Sequence, residues 1–434
     1  MRKLLVLAGL LALVASPGYA APQLTPPSFD RAKSLRTGRG TNSIAVGDLN
    51  GDGRPDLVTT NVLADTVSVL LNRGDGGFQA RADYKAKSLP ASIAVGDLSG
   101  DGKPDLAFGT FGGISLRANR GDGTFGPQVK LEVPAAASVA IGDLDSDGRM
   151  DLVTAGGYAV YVLSNRGDGT FDPVRAYQTG TGPESIAAGD LNGDGSPDLA
   201  TANVADDTVS VLLNRGDGTF QPKSDYGAGI APLSIAIGDL NGDLKPDLAA
   251  ANGDTKNVSV FLNKGDATFR LGRDYGAGGG VASVAIGDLN GDAKPDLAIA
   301  SGYRLDTVSV LANSGDGRFE GRLDFGTGRS PYAVAIADLN GDGRPDLATA
   351  NYSKSVSVLT NTPGLCTVQN VVGRRLAVAK RMTARATCLV GKVTRSYSKT
   401  VKRGRVISQK PKFGAVLRGG GKVDLVVSRG RNRS

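Results

Sequence analysis

Histidine and tryptophan are both absent from this chain, and cysteine occurs only twice. Without an imidazole there can be no histidine general base and no histidine-containing zinc site. Glutamate is nearly as scarce: Glu132, Glu184 and Glu320 are the only three, and they share no common motif. Aromatic residues make up 5% of the chain. Beyond the N-terminus no apolar run approaches the roughly 20 residues that a membrane helix needs. These gaps argue against an enzyme and against a membrane span, and no catalytic residue is assigned.

Glycine, by contrast, accounts for 62 of 434 residues. Scattered glycine would imply low complexity, but here it recurs at fixed places in a repeat. The chain opens with MRKLLVLAGLLALVASPGYA. Arg2 and Lys3 give a basic start, residues 4–15 are apolar, and Gly18-Tyr19-Ala20 resembles a small-residue cleavage site. Residues 1–20 therefore read as a secretory signal peptide, and the mature protein is expected to be soluble, extracellular and monomeric. No sortase-type tail is recognisable, so covalent wall anchoring is not expected.

The formal net charge of +7 conceals two opposed halves. From Gly364 onward 18 Lys/Arg face one acid, Asp424, a net +17, whereas residues 21–363 carry 30 Lys/Arg against 42 Asp/Glu, a net −12. So sharp a shift predicts a domain boundary near Pro363-Gly364.

DLNGDGRPDL at 48–57 returns unchanged at 338–347, with five near-copies between. The seven stretches begin at Asp48, Asp97, Asp143, Asp190, Asp239, Asp288 and Asp338, in steps of 49, 46, 47, 49, 49 and 50 residues. Around each lie an alternating run such as SIAVGDL, the acidic loop, a run such as DLVTTN, a third such as TVSVLLN, a turn, and a polar run beginning at an aromatic. Four short strands per unit is the content of one propeller blade. The seventh unit stops after SVSVLTN (355–361), and SFDRAKSLRTG (28–38) matches a lone fourth strand. Pairing 28–37 with 355–361 would close the ring from both ends and protect its edges. The expected fold class is thus all-β, a seven-bladed propeller over 28–361.

In loop one Asp48, Asn50, Asp52 and Asp56 supply oxygen donors at positions 1, 3, 5 and 9, and Gly53 at position 6 permits a tight turn. Hard oxygen ligands at alternate positions suit Ca²⁺, with the backbone carbonyl of Arg54 at position 7 as a further ligand. Thr59 stands where an EF-hand has its Glu, and the flanks are strand-like, so this is a calcium loop within a β-hairpin. With its period, the pattern resembles the FG-GAP/VCBS repeats of integrin-type β-propellers. The resemblance implies the matching positions elsewhere: Asp97, Ser99, Asp101, Lys103 and Asp105; Asp143, Asp145, Asp147, Arg149 and Asp151; Asp190, Asn192, Asp194, Ser196 and Asp198. Asp239, Asn241, Asp243, Lys245 and Asp247, then Asp288, Asn290, Asp292, Lys294 and Asp296, then Asp338, Asn340, Asp342, Arg344 and Asp346 complete the set. The seventh-position residues contribute carbonyls only. Leu244 and Ala293 replace the turn glycine, so those two loops are expected to bind more weakly or to turn differently. Up to seven structural Ca²⁺ would bring +14 to a propeller of −12.

Arg-Gly-Asp occurs in NRGDGGF (72–78) and in three copies of NRGDGTF, but NKGDATF (263–269) and NSGDGRF (313–319) fill the same slot. The constant part is Asn-x-Gly-Asp with an aromatic three residues later, so Arg is incidental to a turn and integrin-type adhesion is not expected.

The basic tail begins CTVQNVVGRRLAVAK at 366–380. It predicts a short amphipathic helix near 375–386 with Leu376, Ala379 and Met382 on one face, then strands near 389–397, 404–409 and 422–428. The segments NVVG, LAVAK, VISQKPKFGAVL and GGKVDLVVS look like a PASTA domain, a small α+β module, over 364–430. That resemblance implies contact with cell-wall peptidoglycan, and the charge would favour another anionic envelope polymer equally. Nucleic acid is not expected for an exported protein with only Tyr397 and Phe413 available for stacking in this module. Cys366 and Cys388 flank the helix of an exported chain and are expected to form a disulfide. The functional expectation is a calcium-binding propeller acting as a binding or adhesion module at the bacterial envelope, with an unknown protein or glycan ligand for its face. The alternative is a hydrolase- or lyase-type enzyme or accessory whose propeller recognises substrate.

Overall fold

The structure is a computed structural model that describes residues 27–302, 305–362, 366–385, 389–417 and 422–431. Residues 1–20, expected to be a signal peptide, and Cys388 lie outside the described residues.

Each acidic loop connects the first two strands of a four-stranded antiparallel sheet. In the first sheet the strands are Thr41–Gly47, Asp56–Asn61, Thr66–Leu70 and Ala82–Lys85. The described residues form seven such sheets. Six are continuous in sequence, and the seventh is built from both ends: Lys33–Arg36 pairs with Ser355–Leu359, Lys33 opposite Val358 and Arg36 opposite Ser355. The expected closure is therefore present, and Phe29 bridges Asn361 beyond it. First strands touch their neighbours in order, and Thr41–Gly47 meets Pro331–Ala337 to complete the circuit.

Second strands such as Asp56–Asn61 and Asp247–Asn252 are buried along their whole length, which explains their small and β-branched residues. The cores lie between sheets. Val58, Val67 and Val69 of the first pack with Ile93, Leu106 and Phe108 of the second. At the rim an aromatic of one sheet meets the turn phenylalanine of the next edge-on, as in Tyr84–Phe125 at 5.6 Å and Tyr226–Phe269 at 5.3 Å. Phe29 meets Phe325 at 4.9 Å, so the strand borrowed from the N-terminal end packs like the others.

Fourth strands differ from the sequence expectation at their starts. In the first four sheets the turn phenylalanine makes only an isolated bridge, for example Asn72 with Phe78, and the strand begins later. In the fifth and sixth the strand runs from the phenylalanine itself, Phe269–Gly276 and Phe319–Gly326, across a register shift.

The basic module contains a helix, Leu376–Arg385, and strands Leu389–Ser396, Val406–Lys410 and Lys422–Ser428. Ala379 is buried with Val368, Val371, Val406, Val423 and Leu425, and Leu376 and Met382 pack against them, the face read from the helical spacing. A two-residue pair, Cys366–Thr367 with Val416–Leu417, adds a small second sheet.

Candidate metal loops and the buried carboxylates beneath them

All seven loops share one construction. The first aspartate closes the turn: Asp48 Oδ1 accepts the N–H groups of Gly51 (2.8 Å) and Asp52 (3.1 Å), and Oδ2 accepts that of Gly53 (2.7 Å). Asp52 Oδ1 accepts from the N–H of Arg54 at 3.0 Å. Asp97, Asp190, Asp239, Asp288 and Asp338 accept the corresponding three bonds. Loop three has Ser146 in place of a glycine, at φ +60°, and Asp143 accepts from Asp147 and Gly148.

The turn does not change where glycine is missing. Leu244 and Ala293 both adopt φ +64°, and their N–H groups reach Asp239 and Asp288 at 2.8 Å, as Gly53 does in loop one. The loop thus imposes the left-handed conformation, at a cost of about 1–2 kcal/mol for a residue with a Cβ. Leu244 is 90% exposed, so its side chain offsets little of this cost. Leu244→Gly is therefore expected to raise stability by about 1 kcal/mol, read by denaturant unfolding; an unchanged midpoint would show that the strain is absent.

The ninth-position aspartates are a different kind of residue. Asp56, Asp151, Asp198, Asp247, Asp296 and Asp346 are fully buried and Asp105 nearly so. Asp56 Oδ2 accepts the N–H of Leu49 (2.9 Å) and Oδ1 that of Asn72 (2.7 Å), and every other loop repeats this pair. Asn72 then donates from Nδ2 to the carbonyl of Pro55 (2.9 Å) and across to Leu339 of the neighbouring sheet (3.0 Å). Asn119, Asn165, Asn214, Asn263, Asn313 and Asn361 do likewise, reaching Leu49, Leu98, Leu144, Leu191, Leu240 and Leu289. Each acidic loop is thereby bonded to the next sheet. Sequence reasoning saw only a turn in Asn-x-Gly-Asp. The signal was the asparagine itself, present in all seven repeats even where the rest of the turn is lost (Asn361).

Burial pushes these carboxyls up from 3.8, to about 6 for Asp151, Asp198, Asp247 and Asp346 and to about 7 for Asp296. The two N–H bonds oppose that rise, and the neighbouring loop carboxylates add to it: Asp292 and Asp288 in the case of Asp296. A folded value above the unfolded one means that the folded chain holds the proton more tightly. The associated stability is complete below the unfolded value of 3.8 and is lost as pH climbs through about 6 to 7. Metal-free protein should accordingly become less stable between about pH 4 and pH 7, and millimolar Ca²⁺, if it is held by the ionised carboxylates, should flatten or reverse that slope. Thermal melts in chelator and in calcium across this range test it; parallel profiles would contradict it.

The donor set is oxygen throughout. Asp143, Asp145 and Asp151 each offer a carboxylate oxygen, all within 4.8 Å of one another, and loop three is the one with a fourth carboxylate. Cationic side chains offset part of the charge: Arg54 lies 3.6 Å from Asp52, Lys103 3.1 Å from Asp101, and Arg149 pairs with Asp147. Lys245 and Lys294 instead donate to the carbonyls of Lys264 and Ser314 in the adjoining turn. Loop four has Ser196 at that place and no such cation. Three of the four Arg-Gly-Asp arginines fold onto their own turns: Arg120 donates to the Phe125 carbonyl at 3.1 Å, Arg215 to that of Phe220, and Arg166 pairs with Asp172 at 2.7 Å.

Sheets of this form, with acidic hairpin loops repeated around a ring, define a repeat protein of propeller-like architecture. More particularly, the chain belongs to the FG-GAP-like repeat family, whose model matches at residues 48–108, 97–154, 143–201, 190–250, 239–299 and 288–349. Residues 367–429 match the PASTA domain model. A probable serine/threonine-protein kinase of Clostridium acetobutylicum is 41% identical over 64 residues, which are 15% of this chain and 10% of the kinase. The chain therefore spans about a tenth of that curated relative. Among solved structures, a chain in the crystal structure of BBS1N in complex with ARL6DN aligns at TM-score 0.57 and 14% identity, covering 76% of this chain and 96% of that one. A chain of the mitotic checkpoint complex aligns at TM-score 0.55 and 17% identity, covering 82% and 99% respectively. At such identities these neighbours speak to the fold alone. Among the described residues no helix is long and apolar enough to cross a membrane.

Proposed function

We propose that this protein is an exported, non-enzymatic binding or adhesion module of the bacterial cell envelope. Its acidic loops hold structural Ca²⁺, and its basic module contacts peptidoglycan or another anionic wall polymer. The observation that carries the reading is the joining of two modules of opposite charge: FG-GAP-like repeats at −12 and a PASTA match at +17.

Calcium suits the loops for three reasons. The donors are carboxylates, amides and carbonyls without nitrogen or sulfur ligands. The first, third, fifth and ninth positions crowd negative charge that local cations offset only in part, and the ninth-position carboxyls are already pushed upward by burial and by their acidic neighbours. When bound, the ion supplies charge neutralisation and cross-linking of the hairpin. Asp48, Asn50, Asp52, Asp56 and the carbonyl of Arg54 would hold it in loop one, with equivalents elsewhere.

In the basic module the single acid, Asp424, accepts the N–H of Lys392 at 2.6 Å, and among the described residues no cationic side chain there forms an ion pair, which leaves the module's charge open to a polyanion. Export would also favour pairing of Cys366 with Cys388, a staple for a small module. Pull-down on insoluble peptidoglycan, with and without residues 364–434, tests the assignment. The full chain is expected to sediment with the wall and the shortened chain to stay in solution; absence of binding by the full chain would end the envelope reading.

A further inference from the structure

An open groove of about 210 Å³ runs between the outer edges of the fifth and sixth sheets, and three arginines line it: Arg270, Arg273 and Arg318. Their convergence follows from a single irregularity. Residues three apart in a regular strand project from opposite faces. Here Arg270 pairs with Leu262, Leu271 with Phe261, and Arg273 with Val260, so Gly272 is the extra residue of a bulge. Leu262 and Val260 both belong to the core packed toward the sixth sheet, and both arginines are brought to that side. A Cβ at position 272 would lie 3.0 Å from the Val260 carbonyl oxygen, which favours glycine there.

The third arginine arrives from the neighbouring turn. Thr124, Thr170, Thr219 and Thr268 occupy the matching place in four other turns, where each hydroxyl bonds the turn aspartate. The sixth sheet has Arg318 instead, 3.4 Å from Asp316, the one carboxylate lining the groove. Asp274, next to Arg273, already accepts the Ser259 hydroxyl at 2.7 Å. Among the described residues Arg270 and Arg273 have no side-chain ion pair or hydrogen bond. A repeat region of net negative charge thus gathers three guanidiniums in one groove, two of them uncommitted.

We propose that this groove binds an anionic saccharide unit, its carboxylate or phosphate held by Arg270, Arg273 and Arg318. Planar guanidinium forks match both oxyanions. The wall formed by Leu262 and the half-buried Tyr275, which share the side of the two arginines, offers an apolar surface to a sugar ring, and the volume exceeds what an oxyanion alone would fill. The site lies in the repeat region, outside the basic module.

The test uses the full chain with four probes: glucuronate, glucose 6-phosphate, inorganic phosphate and neutral glucose. Protection of individual arginines from phenylglyoxal is read by peptide mass spectrometry, and affinity by calorimetry. Glucuronate or glucose 6-phosphate should shield Arg270 and Arg273, glucose should not, and which acid shields better distinguishes carboxylate from phosphate. The Arg270→Gln/Arg273→Gln variant should lose about tenfold or more in affinity, while Lys402→Gln/Arg403→Gln, in the basic module, should leave it unchanged. Shielding by inorganic phosphate as strong as by the sugar acids would overturn the saccharide assignment. Absence of shielding, or equal loss in both variants, would overturn the site. Neither result bears on wall binding, which is read from the chain lacking residues 364–434.

Discussion

Chelation of divalent ions should lower the melting temperature of this protein by roughly 5–15 °C. The magnitude follows from the loops. With free calcium near ~1 mM and dissociation constants of about 0.1–1 mM, each site would contribute on the order of 0.4–1.4 kcal/mol. Seven such sites total roughly 3–10 kcal/mol, comparable with the stability of an ordinary domain. The loops are placed to transmit the loss. The ninth-position carboxylates sit beneath them, bonded to the asparagines that tie each sheet to the next, so a loop strained by repulsion pulls on a junction between sheets. A melting point indifferent to EDTA would show that the turns carry their charge unaided.

The second large effect belongs to those asparagines. Asn214→Ala would strand the carbonyls of Leu144 and Pro197, now bonded at 2.7 and 3.0 Å, and the N–H of Gly216, bonded at 2.9 Å. Asn214 is 2% exposed, so water cannot readily take over all three. Buried polar groups left without partners cost about 1–3 kcal/mol each, and partial relaxation brings the expected loss to about 2–4 kcal/mol. Thr219→Ala, in the same turn, removes only a hydroxyl bond to Asp217 near solvent and should cost less than about 0.5 kcal/mol. Urea unfolding of the two variants compares them directly. Equal losses would mean that the asparagine bridges do not hold the sheets together.

Much of this architecture was legible in the sequence because it recurs. Seven registered copies of one unit place four strands each, and the unmatched ends, 28–38 and 355–361, left one arrangement that completes a sheet. The helix of the basic module was readable from the spacing of Leu376, Ala379 and Met382. What escaped has a common cause: it depends on neighbours distant in the chain. Asn214 is joined to Leu144, which no local pattern could indicate. Leu244 and Ala293 looked like departures from the turn, yet Asp239 and Asp288 hold the backbone in place whatever the side chain. The convergence of Arg270 and Arg273 requires the bulge at Gly272, and an alternating pattern places them apart.

The most direct test of the account is the number of calcium ions bound per chain, measured by equilibrium dialysis against millimolar calcium with the metal-free protein as reference. Several ions per chain, approaching seven, with sub-millimolar affinity and fewer when Asp190 and Asp194 are replaced by alanine, are predicted. Protein that remains metal-free under these conditions would contradict it.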